Sequence, residues 1–246
     1  ANGAIESAPE ELCRQGICYE GRIVKGSGKK VSFNVSRFLR KKNDKRSIYD
    51  VTNIGKQKRV FSGDVLLSVT AIRMDKKEKE IDLTPFVTDG KVKWVVPEGT
   101  WKLGICKLSR NCGAHRNYIN MMDPDSCRIL IDTVYEPHFS HYGEEFGKTI
   151  AGFFSDETEL GNGPMYSNEP LGAALDLPWC HTLEPVLEES LGADWKNCMP
   201  YLWESDLDSK QTARVRYAYM DAVTNKVKAA FSEQMGEWCR GHGVEY

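Results

Sequence analysis

The stretch on which the fold turns is Thr149-Ile150-Ala151-Gly152-Phe153-Phe154-Ser155-Asp156-Glu157. A short apolar run with the density of a buried strand leads directly into two adjacent carboxylates. Before it, Asp123-Pro124 has the cap-then-proline pattern of a helix start. Cys127, Leu130, Ile131, Val134, Tyr135, His138, Phe139 and Tyr142 then keep a helical stripe up to Gly143, with Pro137 expected to bend or restart it. After it, residues 158–181 read as a loop rich in glycine and proline. Leu183 to Leu191 reads as a short helix, and Trp195 to Trp203 as helical turns broken near Pro200. From Ser209 to about Arg240 a long stripe runs through Arg216, Met220, Val223, Val227, Phe231, Met235 and Trp238. Gly241-His242-Gly243 stops it as a C-cap would, and Val244-Glu245-Tyr246 opens another strand. Helix, strand, acidic strand end, loop, helix and strand start is the order of alternating β and α units.

Upstream the period changes. Residues 8–15 read as one short helix with Ser7 as its cap. Ile17-Cys18-Tyr19, Val31 to Val35, Val65 to Ile72, Val92 to Val96 and Trp101 to Ile105 are short runs rich in β-branched or aromatic residues. Turn residues separate them, and Asp89-Gly90 is the strongest hairpin signal. This predicts a β-sandwich-like module. The expected fold is therefore α/β: part of a (β/α)8 TIM-type barrel interrupted by a β-sandwich-like insertion. Residues 1–15 form a barrel segment, 16–110 the inserted module and 111–246 the barrel βα units. A closed barrel takes about 250 residues, so 111–246 has room for about four units. The chain is expected to be an incomplete barrel.

Composition bounds the function. The chain has 246 residues, 41% hydrophobic and 28% charged, which is enough to bury a core. Lys plus Arg is 33 against 35 for Asp plus Glu, a formal net charge of -2. That balance argues against nucleic acid or an anionic membrane surface as the main partner. Apolar runs such as 150–154 fall far short of the roughly 20 residues that span a bilayer. The chain opens with Ala1-Asn2-Gly3, without a charged-then-apolar leader, so a cytoplasmic location is expected. The eight cysteines show no CxxC pair, and several fall inside apolar patterns. Free thiols in a reducing compartment are expected.

The candidate chemistry gathers around the strand end. Neighbouring side chains on a strand point to opposite faces, so one of Asp156 and Glu157 should face the mouth of a barrel. A carboxylate there can act as acid, base or nucleophile in glycosidic cleavage, and Glu159 can line the same loop. Tyr166, Trp179 and His181 are candidate substrate-binding residues, with Trp179 read as an exposed ring for stacking on a sugar. Trp195 and Trp203 read as core. His138 and His141, three apart with Glu145 nearby, lack a third ligand at a telling spacing, so no metal site is expected there. The basic stretch Arg37 to Arg46 reads as a charged hairpin end and Lys76 to Glu80 as a solvated turn. No P-loop, GxGxxG, GxSxG or HExxH pattern is present.

Five segments in order carry a family resemblance: Tyr118 to Pro124, Tyr142 to Ile150, Gly152 to Glu157, Thr212 to Tyr217 and Glu237 to Gly243. They resemble the central part of large bacterial glycoside hydrolases of the α-L-rhamnosidase type, glycoside hydrolase family 106. Val96-Pro97-Glu98-Gly99-Thr100-Trp101 is similar to the end of a β-rich insertion in such enzymes. The resemblance implies a (β/α)-barrel catalytic domain cleaving glycosidic bonds in plant or microbial polysaccharides. It also implies two acidic residues on different strand ends and a site able to hold calcium. Glu157 matches the strand-end glutamate, with Asp156 as its neighbour. The second glutamate is expected beyond Tyr246, so the chain alone is expected to be inactive and to self-associate through exposed strand edges. Ser155 and Thr158 stand where the family usually has Thr and often Pro, which leaves the sugar open. Two other readings compete. One is a carbohydrate-binding protein that uses Trp94 and Trp101 of the β-rich module; the other is a stand-alone protein in which Asp156 and Glu157 are structural.

Overall fold

The computed structural model describes residues 8–40, 59–112, 116, 118–155, 160, 171 and 176–246. Strands β1 (Gln15–Gly26) and β2 (Lys30–Asn34) lead into a short helix α1 (Val35–Leu39), which Asn34 caps by accepting from Arg37 N. The rest of the module is β3 (Val65–Arg73), β4 (Ile81–Asp82), β5 (Val87–Thr88), β6 (Lys91–Val95) and β7 (Gly99–Ser109). Asp89 and Gly90 both take positive φ, 51° and 67°, in the two-residue turn between β5 and β6. That is the mirror-image turn that Asp-Gly favours.

These strands make two antiparallel sheets. Five strands order as β4-β3-β7-β1-β8 and three as β2-β6-β5, where β8 is Leu177–Trp179. The central strand β7 is buried on both faces, and its alternation decides the layering. Trp101, Leu103 and Ile105 point into a core shared with Val35, Phe38 and Val92 on the small-sheet side. Cys106 and Leu108 point the other way, into a core shared with Leu183, Leu187, Val215 and Tyr219. Layers of small sheet, large sheet and helices result.

The helical half comprises α2 (Pro124–Leu130), α3 (Glu136–Tyr142), α4 (Glu184–Leu191), α5 (Trp195–Cys198), α6 (Ser209–Val227) and α7 (Gln234–Gly241). Two π-helical turns join pairs of these: Ile131–Tyr135 between α2 and α3, and Lys228–Glu233 between α6 and α7. The first lies just ahead of Pro137, whose missing N–H and ring bulk break the regular ladder. Across the layers, Lys102 Nζ meets Glu204 Oε2 at 2.7 Å, Tyr19 Oη donates to Glu204 Oε1 at 2.7 Å, and Thr70 Oγ1 donates to Asn197 Oδ1 at 3.1 Å.

Three local expectations change. Residues 8–15 are not a helix: Glu10–Leu12 is a single 3₁₀ turn and β1 begins at Gln15, because its pairing with β7 captures the backbone. Within the expected loop 158–181, Leu177–Trp179 is a strand against β1, opposite Gln15 to Ile17. Between Thr149 and Phe154, pairing is limited to single parallel bridges at Ile150 and Gly152. Among the described residues no barrel closes, and the parallel contacts are Phe146 with Ile150 and Gly152 with Glu245. No helix among them is long and apolar enough to cross a membrane. All eight cysteines are buried free thiols.

Candidate functional site

The strand end is built from the C-terminus of α7. Gly243 takes φ 72°, Gly243 N donates to Arg240 O at 3.2 Å, and Val244 N donates to Cys239 O at 3.0 Å. This paired closure with glycine at the left-handed position turns the chain out of the helix. Val244-Glu245-Tyr246 is thereby delivered alongside 151–153. Glu245 N donates to Ala151 O at 3.0 Å and Phe153 N donates to Glu245 O at 2.9 Å. A Cβ on Gly152 would lie 2.4 Å from Glu245 O, so the parallel approach needs glycine there.

An aromatic bed supports this pair. Phe153 stacks on Tyr135 with centroids 4.6 Å apart, and Trp238 stacks on His242 at 4.0 Å. Trp238 Nε1 donates to Glu136 Oε1 at 2.8 Å. Ser155, the last described residue before Asp156, lies beside the phenols of both Tyr135 and Tyr246. Burial pushes the Tyr135 phenol up to about 12 and raises that of Tyr246, while the Ser155 contact opposes the rise in each. Phe154 is 84% exposed beside this anchor. Asp156, Glu157, Glu159 and Tyr166 lie outside the described residues.

A second group of functional side chains forms where α2 starts. Asp123 caps α2, its Oδ1 accepting from Asp125 N at 3.0 Å and Ser126 N at 3.4 Å. Asn120 Nδ2 donates to Trp179 O at 2.9 Å, which pins the end of β8 beside that cap. Asp123, Cys180 and His181 then offer one carboxylate oxygen, one sulfur and one ring nitrogen, all within 4.8 Å of one another. Cys180 Sγ lies 3.8 Å from His181 Nδ1 and accepts from Thr182 Oγ1 at 3.3 Å. Asp123 and Cys180 are buried, and His181 is exposed. Burial raises the Cys180 thiol pKa, and Thr182 opposes it. The thiol of Cys127, pushed up to about 12 by burial, also feels the charges of Asp123 and Cys180. Tyr246 in turn feels Cys127, so this group and the strand end are electrostatic neighbours.

The remaining sequence candidates are placed as follows. Trp179 is 0% exposed and stacks on Trp195 with centroids 5.7 Å apart, so its ring is core and offers no open face to a sugar. The aliphatic neighbours in Leu-Pro-Trp-Cys do not distinguish an exposed ring from a buried one; the pairing of β8 with β1 buries it. Trp203 stacks on Tyr19 at 4.9 Å and is buried, in line with a core role. His138 Nδ1 contacts Val134 O at 2.7 Å on its own helix. In the β-rich module Trp101 is 1% exposed and meets the half-buried Trp94 edge-on at 5.5 Å.

Sequence reasoning missed Asp123 and Cys180 as partners of His181. Asp123 is legible as a helix cap, whereas Cys180 carries no signal of its own; the fold that brings their segments together is not legible. A third cluster, Cys18, Cys112 and Asp176, lies at the edge of β1. A cleft of about 680 Å³ lies elsewhere, between the β3–β4 turn and the start of α6. Arg73 pairs with Asp75 and Glu78 along one wall, and Lys77 reaches across it to Asp208 at 2.6 Å. No known protein family, curated protein or solved structure matches the chain.

Proposed function

We propose that this chain is part of the catalytic region of a glycoside hydrolase, rhamnosidase-like, acting on glycosidic bonds of plant or microbial polysaccharides. The same reading takes 111–246 as βα units of a (β/α)8 barrel. The observation that supports it is the parallel pairing of 151–153 with Glu245, which ends directly ahead of Ser155. Parallel strand ends are where α/β enzymes keep their reacting groups, and the acid pair follows Ser155 directly. In this reading Glu157 works as one of two carboxylates flanking the bond, about 5 Å apart for retention or 6.5–9.5 Å for inversion. In the same reading Asp156, its neighbour in sequence, is not the reacting acid and steadies the loop.

The calcium ion implied by the family resemblance does not fit the described donors. Calcium takes about 6–8 oxygen ligands, whereas each described cluster offers a single carboxylate beside sulfur or nitrogen. No step is assigned to it.

The test is a calorimetric titration of rhamnose-containing oligosaccharides into the wild-type chain, Glu157→Gln and Trp94→Ala. Affinity is expected to fall at least tenfold, about 1.4 kcal/mol, in Glu157→Gln and to hold in Trp94→Ala. Unchanged binding in Glu157→Gln with loss in Trp94→Ala would move the site to the β-rich module and defeat the proposal.

A further inference from the structure

We propose that Asp123, Cys180 and His181 form a binding site for a divalent transition-metal ion of the zinc type. The donor set comes first. Carboxylate oxygen, thiolate sulfur and imidazole nitrogen together match a borderline-soft ion and not a hard one such as magnesium or calcium. The spacing agrees. Zn–S of about 2.3 Å and Zn–N of about 2.0–2.1 Å at a tetrahedral angle put sulfur and nitrogen about 3.6 Å apart. Cys180 Sγ and His181 Nδ1 stand 3.8 Å apart, and an Asp123 oxygen, the sulfur and a His181 ring nitrogen lie within 4.8 Å of one another.

The supporting contacts are those that orient ligands. Asp125 N and Ser126 N hold the Asp123 carboxylate through Oδ1, and Thr182 Oγ1 donates to Cys180 Sγ. Asn120, which fixes Trp179 O, keeps the segment carrying Cys180 and His181 against α2. Outer contacts of this kind typically govern affinity by about 10–100-fold. Exposed His181 provides the entry path, and three protein ligands leave a fourth position for water or a substrate oxygen. On binding, the Cys180 S–H bond breaks, sulfur donates its pair to the metal and the proton passes to solvent.

The other cluster with two cysteines is not equivalent. Cys112 Sγ donates to Ser109 O at 3.1 Å and lies 2.6 Å from where a Cβ on Gly16 would sit. The thiols of Cys18 and Cys112 lie within 4.8 Å of each other, and both cysteines are buried. These thiols sit in a closed, packed place, without a nitrogen donor.

The metal site stands apart from the glycosidase reading, and its test reads metal alone. Reduced, chelator-treated protein is titrated with Co²⁺ and followed by its visible ligand-field bands and the thiolate-to-cobalt charge-transfer band in the near ultraviolet. One equivalent is expected to bind with tetrahedral intensity, and Zn²⁺ is expected to displace it. Cys180→Ser should abolish the charge-transfer band. His181→Gln, a change at an exposed position, should weaken binding at least about tenfold with an unchanged circular dichroism spectrum. Cys112→Ser should change neither. No saturable Co²⁺ binding, a charge-transfer band that survives Cys180→Ser, full affinity in His181→Gln, or loss of the band in Cys112→Ser would each overturn the assignment.

Discussion

Gly152 and Glu245 stand in parallel register so closely that a single added methyl group on Gly152 would lie 2.4 Å from the Glu245 carbonyl oxygen. The two hydrogen bonds either side of Gly152 tie the C-terminal segment to the strand end that precedes the acid pair. Gly152→Ala is therefore expected to separate the pair and cost about 1–3 kcal/mol, the range for overpacking a close contact. Hydrogen exchange would check it: the amides of Phe153 and Glu245 should lose protection while those of β7 keep theirs. Retained protection at both amides would show that the pair tolerates a side chain.

Lys102 and Glu204 join the central strand to the helical layer at 2.7 Å, with side chains only 10% and 16% exposed. Glu204 also accepts from Tyr19. Removing one member of a buried pair leaves the other charge unbalanced, and Glu204→Leu is expected to cost about 3–5 kcal/mol. Adding Lys102→Met should recover most of that, since apolar packing replaces a buried ion pair at little net cost. Urea unfolding of the single and double variants decides it. Equal destabilisation in both would mean that the loss comes from packing, not charge.

How far the sequence carried this fold depends on whether the signal was local. Asp123-Pro124 predicts a capped helix start, and Asp123 does accept from Asp125 N and Ser126 N. Asp89-Gly90 likewise predicts the turn that it makes. The long stripe from Ser209 matches the helix in extent, but its face differs in the first half. Residues buried in α6 are Val215, Ala218, Tyr219, Ala222 and Val223, while Met220 is 38% exposed. Beyond it Phe231, Met235 and Trp238 are buried as the stripe requires. The π turn at Lys228–Glu233 is the reason, because each extra residue rotates the apolar face and one 3.6-residue period cannot describe both sides. β8 was invisible because three residues including Pro178 carry no alternation; its partner β1 supplies the order. His181 was legible as a candidate by its neighbours, but nothing nearby in sequence announces Asp123, which reaches it only through Asn120 and the end of β8.

Alkaline pH should unfold this protein through its buried acids. Burial pushes the Cys106 thiol from an ordinary 9.0 up to about 12, with the Ser68 contact opposing the rise. Tyr201 and Tyr219 are raised in the same direction, by burial first. In this range the folded state holds protons that the unfolded state has released, so stability is full below pH 9.0 and is lost as pH climbs towards about 12. For Cys106 alone the loss reaches about 4 kcal/mol. Urea midpoints measured over this interval should fall in the wild type and fall less steeply in Cys106→Ala. Parallel slopes in the two proteins would show that Cys106 does not titrate with unfolding.

Ser155 is the hinge between what holds the strand end and what is proposed to react there. Its side chain lies beside Tyr135 and Tyr246, one from the α2–α3 junction and one following α7. Each phenol contact should be worth about 0.5–1.5 kcal/mol, so Tyr135→Phe and Tyr246→Phe are expected to destabilise by that much. Ser155→Ala removes the hydroxyl beside both phenols, and Tyr135 is buried, so its cost should reach about 1–3 kcal/mol if it bonds to them. A double-mutant cycle between Ser155→Ala and Tyr246→Phe measures the coupling and separates it from general loosening. If Glu157 binds sugar from this anchored position, the same variants lower oligosaccharide affinity in step with the coupling energy. Stability that falls while affinity stays at the wild-type value would dissociate the anchor from the site, and the acid pair would then owe its placement to contacts other than Ser155.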